Sequence, residues 1–116
     1  MKPVSAKKKL GQHFLKDLTI AQKIADLLTF NNYQTILEIG PGMGVLTQFL
    51  VSKKKKLHLI EIDGESVTFL KNTYTEIEAS ITEGDFLKLD IQQILGKDPF
   101  VIIGNFPYNI STQIVF

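Results

Sequence analysis

The sequence of 116 residues contains no cysteine, and all 13 of its basic residues are lysines. Without cysteine, a disulfide framework and a thiolate metal site are both excluded, and nothing indicates an oxidising compartment. Without arginine, bidentate recognition by an arginine side chain is excluded, which leaves lysine point charges for contacts to phosphate. No apolar run of signal-peptide or membrane-spanning length follows the basic first residues. These absences predict a cytoplasmic protein that is neither secreted nor inserted in a membrane.

The residues that are present suffice for one modest core. Of all residues, 44% are hydrophobic, which sets one domain as the upper limit. The net charge of +1 conceals two lysine groups, one within the first nine residues and one at residues 53–56. Both groups could contact phosphate. For residues 53–56 the competing interpretation is a solvated run at a helix C-terminus, where cations interact favourably with the helix dipole.

Hydrophobic periodicity predicts an alternation of helices and strands. Apolar residues recur at helical spacing between residues 17 and 30, and Asp17 is the expected N-cap of that helix. Strands are predicted at residues 35–39, 57–62, 79–83 and 100–104, with helices from about residue 45 and over residues 65–74. This order is typical of an α/β fold with a parallel sheet covered by helices on both faces. In such folds, ligands bind at the carboxyl ends of the strands.

The first of these strand ends carries a glycine turn with the sequence Gly40-Pro41-Gly42-Met43-Gly44. Glycines at alternate positions permit a tight turn with a bare backbone, which a ligand can approach closely. Glu61 falls at the end of the next predicted strand. A carboxylate about 20 residues after such a turn accepts hydrogen bonds from ribose hydroxyls. The turn and Glu61 together predict a nucleoside cofactor.

The glycine pattern also favours one kind of nucleoside. The G-x-G-x-x-G pattern of dinucleotide-binding folds is absent, because Gly42 is followed by Met43-Gly44-Val45. The turn therefore suits S-adenosylmethionine, which has no pyrophosphate. Asp85, at the end of the third strand, is a candidate acceptor for the exocyclic amine of the cofactor's adenine. The alternative is that Asp85 only caps a turn over residues 86–89.

The tetrapeptide Asn105-Phe106-Pro107-Tyr108 follows the fourth strand and is the stretch most indicative of chemistry. An exocyclic aromatic amine is a poor nucleophile because its lone pair is delocalised into the ring. The side-chain oxygen of Asn105 and the backbone carbonyl of Pro107 could accept its two hydrogens and favour a pyramidal nitrogen. Tyr108 or Phe106 could stack on the base, which contributes roughly 1–3 kcal/mol and offsets the cost of flipping it out.

No metal site and no strong general base are predicted. His13 and His58 stand alone in the sequence, and His58 is interpreted as a packed or exposed side chain on a strand. Neither a metal nor a base is required, because in-line placement and charge stabilisation carry most of the rate of methyl transfer from a sulfonium.

Three stretches match one known family along nearly the whole chain, namely residues 9–15 (KLGQHFL), 37–47 (LEIGPGMGVLT) and 105–112 (NFPYNIST). On these residues the chain resembles the KsgA-type ribosomal RNA adenine dimethyltransferases, which have a Rossmann-like S-adenosylmethionine-dependent methyltransferase fold. The resemblance implies transfer of four methyl groups to N6 of two adjacent adenines near the 3′ end of small-subunit ribosomal RNA, during ribosome biogenesis. The implied partner is that RNA in an immature ribosomal subunit, with no metal and no membrane.

The resemblance also implies a role for individual residues. At the cofactor, His13 and Leu15 would close over the methionine end, and Gly40 and Gly42 would make contact through the backbone. Glu61 would bind the ribose hydroxyls and Asp85 the adenine amine, and Asn105 would lie between the cofactor and the target amine. At the target adenine, Asn105 would lie next to the amine, while Pro107 and Tyr108 would hold and stack the base. Two positions depart from the family, which usually has asparagine in place of His13 and leucine in place of Phe106.

Three alternatives remain at this point. Erythromycin-resistance methyltransferases of large-subunit RNA share the G-Q-x-F-L and N-x-P-Y stretches, but their glycine turn usually reads G-S-G-K-G. A DNA-adenine or release-factor methyltransferase would be expected to carry N-P-P-Y, and Phe106 argues against it. The third alternative is a non-catalytic fragment that binds ribosomal RNA without turnover.

The resemblance implies that the chain is short for the family, whose members complete the sheet and add a small helical domain. Residues 1–116 are therefore expected to be the N-terminal half of the methyltransferase domain, ending inside the helix that follows the tetrapeptide. The sheet would then stop after the fourth strand. Its unpaired edge would be a template for dimerisation or strand exchange.

Overall fold

The computed structural model describes residues 18–105 and 112–115. Helices and strands alternate along these residues, as predicted. The α-helices are α1 (Leu18–Asp26), α2 (Thr47–Val51), α3 (Gly64–Thr73) and α4 (Ile91–Leu95). The strands are β1 (Thr35–Ile39), β2 (Lys56–Glu61), β3 (Ile81–Glu83), β4 (Phe100–Asn105) and β5 (Thr112–Val115), and short 3-10 helices cover Thr75–Ser80 and Phe86–Lys88.

The strands form one sheet in the order β3-β2-β1-β4-β5, and β1 to β4 are parallel. The chain moves outward from β1 to β3 and then returns to place β4 on the other side of β1. The strand order therefore reverses between β1 and β4. In open α/β sheets, this reversal opens a crevice at the carboxyl ends of the two strands, where ligands bind. The predicted fold class is confirmed.

The end of the chain differs from the prediction. Residues Thr112–Val115 form a strand, not a helix, and β5 pairs antiparallel with β4, from Asn105↔Thr112 to Ile102↔Val115. Antiparallel neighbours need only a short connection, here residues 106–111, and β-branched residues such as Ile114 favour a strand. Pairing with β5 satisfies the backbone groups of β4. The prediction of an unpaired edge on β4 is therefore wrong, because β5 occupies that edge.

Helix boundaries also differ from those that the sequence periodicity predicted. α1 ends at Asp26 because the chain turns soon afterwards, with Phe30 and Asn32 at positive φ, and Tyr33 accepts a hydrogen bond from the Thr29 N–H at 3.2 Å. The predicted cap of this helix, Asp17, lies outside the described residues. α3 has a clear cap instead, since the carboxylate of Asp63 accepts from the Ser66 N–H at 3.0 Å.

The core has two parts, one on each face of the sheet. All five residues of β1 are buried, as expected for a central parallel strand. The larger part lies on the face covered by α1, α2 and α3 and includes Ile36, Leu50, Leu59 and Leu70. The smaller part lies on the other face, where α4 and the 3-10 helix Phe86–Lys88 cover Leu37, Ile39 and Ile60. Side chains alternate between these faces along β1, β2 and β4, as the pleat of a strand requires.

None of the helices formed by the described residues has both the length and the apolar character needed to cross a membrane.

Candidate functional site

The glycine turn lies where prediction placed it, at the carboxyl end of the central strand β1. The Gly40 N–H donates to the Ile60 carbonyl at 2.9 Å, and the Gly44 N–H donates to the Pro41 carbonyl at 2.9 Å. Gly40, Gly42 and Gly44 all have positive φ, between 57° and 84°. A side chain is strained in this conformation, so the turn needs glycine and keeps its backbone bare.

The strands β1 and β4 approach each other closely beside this turn. Ile39 is the register partner of Gly104. A Cβ on Gly104 would lie 2.2 Å from the Ile39 carbonyl oxygen, nearer than any real contact. Glycine at position 104 therefore brings the end of β4, with Asn105, against the start of the glycine turn. The sequence analysis assigned no role to this glycine.

Glu61 is tied to the same turn through its carboxylate. The side chain is 2% exposed, its Oε1 accepts from the Gly42 N–H at 2.8 Å, and its Oε2 accepts from the Asp63 N–H at 2.9 Å. These two backbone donors fix both carboxylate oxygens of Glu61 at the turn. The structure thus brings Gly40, Gly42 and Glu61 together, and ribose binding by Glu61 stays a prediction.

Asp85 follows β3, the strand beside β2. Its Oδ1 accepts from the Leu87 N–H at 3.0 Å and caps the 3-10 helix Phe86–Lys88. This oxygen of Asp85 therefore caps the following turn, as the alternative interpretation predicted. The Gly84 N–H donates to the Glu61 carbonyl at 3.0 Å, which keeps Asp85 at the same edge of the sheet as Glu61. Contact between Asp85 and an adenine amine stays a prediction.

Of the remaining predicted site residues, the structure describes only Asn105, and only its backbone. Asn105 is the last residue of β4, where its backbone is described opposite Thr112. The other members of the set lie outside the described residues: His13, Leu15, Pro107 and Tyr108.

Glu38 is a site residue that sequence reasoning missed. It lies on β1, is 1% exposed, and its Oε1 accepts from the Thr47 hydroxyl at 2.6 Å. The pKa of Glu38 is raised to about 8, chiefly by burial, while the hydrogen bond from Thr47 lowers it and the negative charge of Glu61 raises it. The signal was available, because Glu38 is the only charged residue in a strand that was predicted to be buried.

Tyr74 lies close to Glu38 and to the turn. Burial raises the pKa of the Tyr74 phenol, and the charges of Glu38 and Glu76 raise it further. Its hydroxyl oxygen would lie 3.3 Å from a Cβ on Gly44. Glu38, Tyr74 and Glu61 therefore line the inner side of the glycine turn.

Three exposed apolar side chains stand at the ends of three neighbouring strands. Met43 follows β1, Ile62 follows β2 and Leu87 follows β3, and they are 51%, 66% and 69% exposed. Single exposed apolar residues are normal on a protein surface, but ligand sites combine apolar surface with a few placed polar groups. The polar groups here are Glu61 and Asp85.

The second lysine group, residues 53–56, lies at the opposite end of the strands, where β2 begins. Lys53 pairs with Asp26 at 2.7 Å, and Lys56 lies 3.9 Å from Asp98. Lys55 donates to Gln34 Oε1 at 2.7 Å and stacks over the Phe30 ring at 5.0 Å. These intramolecular partners support the interpretation of this run as a solvated protein face.

His58 is half-buried on β2, and burial together with Lys56 lowers its pKa. This supports its interpretation as a packed side chain. In the part of the chain that the structure describes, no group of three or more His, Cys, Asp or Glu side chains could hold a metal ion.

A glycine turn on the central strand, with acidic residues at the ends of the next two strands, defines the class of Rossmann-like methyltransferase folds. Two solved structures share this fold. One is the 23S rRNA methyltransferase ErmE, with a TM-score of 0.52 and 18% identity, covering 80% of this chain and 48% of that one. The other is a putative S-adenosyl-L-methionine-dependent methyltransferase from Methanococcus maripaludis, with a TM-score of 0.50 and 17% identity over 92% of this chain and 68% of that one.

The chain belongs to the ribosomal RNA adenine dimethylase family, which it matches over residues 4–116. Ribosomal RNA small subunit methyltransferase A of Bacteroides fragilis is 54% identical over the whole of this chain. The chain spans 43% of the length of that relative. The predicted family is confirmed.

Proposed function

We propose that this chain carries the cofactor-binding half of an S-adenosylmethionine-dependent enzyme that dimethylates N6 of two adjacent adenines near the 3′ end of small-subunit ribosomal RNA. Family membership supports adenine in ribosomal RNA as the substrate. The 54% identical relative is named for the small subunit, which supports that subunit as the source of the RNA.

The observation that carries the cofactor assignment is the carboxylate of Glu61, buried and bonded to the N–H of Gly42 in the glycine turn. A carboxylate held rigidly by backbone donors is preorganised to accept the paired hydroxyls of a ribose. Glu61 would hold the ribose, and the bare backbone of Gly40 and Gly42 would contact the rest of the cofactor.

The charge at the turn also fits S-adenosylmethionine. Glu61 lies buried on its inner side next to Glu38, and the negative charge of Glu61 disfavours a pyrophosphate and attracts a cation. Ile62 and Leu87 offer apolar surface for the adenine, with Asp85 between them in sequence as a possible partner of its amine. When bound, the cofactor supplies an activated methyl group on its sulfonium.

The residues proposed to act on the target base are Asn105, Pro107 and Tyr108. The Asn105 amide oxygen and the Pro107 carbonyl would accept the two hydrogens of the adenine amine, and Tyr108 would stack on the ring. The structure supports this by placing the end of β4 next to the glycine turn, since Ile39 and Gly104 are register partners. No strong base is needed, because the amine can lose its proton after transfer.

We further propose that the work is done in the cytoplasm on an immature small ribosomal subunit, without a metal. His13 and Leu15 would complete the cofactor site from the N-terminal segment.

Calorimetric titration of S-adenosylmethionine into the chain tests the cofactor assignment, and Glu61→Ala is the informative variant. Loss of two hydrogen bonds to a charged acceptor, worth about 1.5 kcal/mol or more each, weakens binding by roughly a hundredfold or more. Glu78→Ala is the matched control, because Glu78 is an exposed carboxylate away from the turn, on the 3-10 helix Thr75–Ser80, and its loss leaves the affinity unchanged.

Methyl incorporation into small- and large-subunit particles that lack the modification separates the substrate alternatives. The family's full-length enzyme is expected to label the small subunit. Labelling of the large subunit alone would favour the erythromycin-resistance type. RNA binding that survives Glu61→Ala, without any cofactor binding by the folded wild type, would favour a non-catalytic module and contradict the proposal.

A further inference from the structure

Two buried carboxyl groups lie close to each other beneath the glycine turn. Glu38 on β1 and Glu61 on the neighbouring strand β2 each lie two residues beyond a member of the larger core part, Ile36 and Leu59. Side chains two apart on a strand share a face. Both carboxyl groups therefore face α2 and α3, and both are almost fully buried, at 1% and 2% exposure.

The two groups are stabilised very unequally. Glu61 accepts hydrogen bonds from two backbone N–H groups, those of Gly42 and Asp63. Glu38 accepts only from the Thr47 hydroxyl, and no donor among the described residues reaches its Oε2. Backbone donors stabilise a negative charge, whereas a buried carboxyl without them is stabilised by keeping its proton.

Among the residues that the structure describes, no cation faces Glu38. Among the described residues, the groups that face it are Glu61 from β2, Thr47 from α2 and Tyr74 after α3. Two like charges buried close together repel each other, and this repulsion adds to the burial that favours the protonated form of Glu38. The smaller number of donors at Glu38 acts in the same direction.

We propose that Glu38 keeps its proton while the turn is free and releases it when a cationic ligand binds on the glycine turn. The O–H bond of Glu38 breaks, the proton passes to the buffer, and the new carboxylate balances the charge of the ligand. S-adenosylmethionine, with a sulfonium and an ammonium against one carboxylate, has the required net positive charge, so this inference rests on the proposed function. Glu38 is thereby a positioning residue that makes cofactor affinity depend on pH.

Binding coupled to proton release becomes tighter as pH rises. The affinity of the wild-type chain for S-adenosylmethionine is expected to increase by up to about tenfold per pH unit below about pH 8 and then to level off. Adenosine has a ribose and a base but no cation, so its affinity is expected to be nearly independent of pH over the same range.

Calorimetry in phosphate and in Tris at pH 7 measures the released proton directly, because the two buffers differ in ionisation enthalpy. The wild-type chain should release about one proton per S-adenosylmethionine, and adenosine should release almost none. Glu38→Gln keeps the shape of the side chain without the titration, and should bind with no proton release. Glu78→Gln, an exposed carboxylate variant, should behave as wild type. Equal heats in both buffers for the wild type would overturn the inference.

A second measurement is independent of any ligand. The infrared spectrum of the free wild-type chain at pH 7 should contain the carbonyl stretch of a protonated carboxylic acid, and Glu38→Gln should lack it. Adding S-adenosylmethionine should remove the band. If the band is absent from the free wild type, the inference is wrong even where the cofactor binds. If the band is present and no cofactor binds, the proposed function fails and with it the ligand-driven release.

Discussion

Charged side chains lie at the surface at one end of strand β2 and are buried at the other. At its amino end, Lys53 pairs with Asp26 and Lys56 lies near Asp98, both at the protein surface. At its carboxyl end, Glu61 is buried and held by backbone donors beside a second buried acid, Glu38. Surface pairs contribute about 0–1 kcal/mol each, whereas buried charges have large effects on stability and on pKa. The carboxyl end of the strands, where the acidic side chains are buried, is therefore the end that is suited to chemistry.

The largest effect on stability is expected at the close approach of strands β1 and β4. Gly104→Ala places a Cβ 2.2 Å from the Ile39 carbonyl, so β1 and β4 must separate. We expect a loss of about 3 kcal/mol or more in the free energy of unfolding, measured by urea denaturation. Gly96→Ala is the control, since nothing lies within 4 Å of its Cβ and only its positive φ adds strain, at about 1 kcal/mol. Equal losses in the two variants would show that the close approach is unimportant.

The next effect concerns the dependence of stability on pH. The pKa of Glu38 is about 8 in the folded chain and 4.5 when unfolded, so the folded state binds more protons between these values. Stability from this group is complete below about pH 4.5 and is lost as pH rises to about 8, by at most about 1.4 kcal/mol per unit. Urea midpoints measured across this range should fall for the wild type. Glu38→Gln should remove that fall, and an unchanged pH profile in Glu38→Gln would contradict the assignment.

A smaller effect should follow from removing the hydrogen bond to Glu38. Thr47→Val deletes the hydroxyl that donates to Glu38 at 2.6 Å and keeps the shape of the side chain. We expect a loss of about 1–2 kcal/mol, larger at pH 9 than at pH 6, because the hydroxyl stabilises the ionised form most. Thr47→Ser retains the donor and should show little of this pH dependence. Denaturation at both pH values measures the difference.

The smallest effect is expected at the lysine edge. Lys53→Ala removes the 2.7 Å pair with Asp26, and Lys56→Ala removes the 3.9 Å contact with Asp98. Each should change the free energy of unfolding by less than about 1 kcal/mol, and the change for Lys53 should shrink in high salt. Neither should alter cofactor affinity. A large drop in ligand binding from either variant would break the contrast between the two edges.

Much of the fold could be predicted from local patterns. Short apolar runs identified β1 to β4, and the glycine spacing with Glu61 located the site, because positive φ and strand ends leave clear traces in sequence. β5 could not be predicted in this way, since the residues around Ile114 suit a helix or a strand and only pairing with β4 decides between them. Glu38 could have been singled out as the one charged residue of a buried strand, but its partner Thr47 lies on a different element and could not be predicted.

Asp85 shows a different limit of sequence reasoning. Capping and ligand binding require the same residue type at the end of a strand, so both interpretations were open. The hydrogen bond from the Leu87 N–H establishes the first for one oxygen. Only a ligand can test the second.

The strand order also has a consequence for synthesis of the chain. β1 leaves the ribosome early, with its neighbour β2 close behind, but its other neighbour β4 begins only at Phe100. Until then, one side of a strand whose five residues are all buried in the fold has no partner, and such an edge is prone to intermolecular pairing. A nascent chain that pauses before residue 100 is therefore at its most vulnerable to aggregation, and it is during this interval that a chaperone would have the most apolar strand edge to bind.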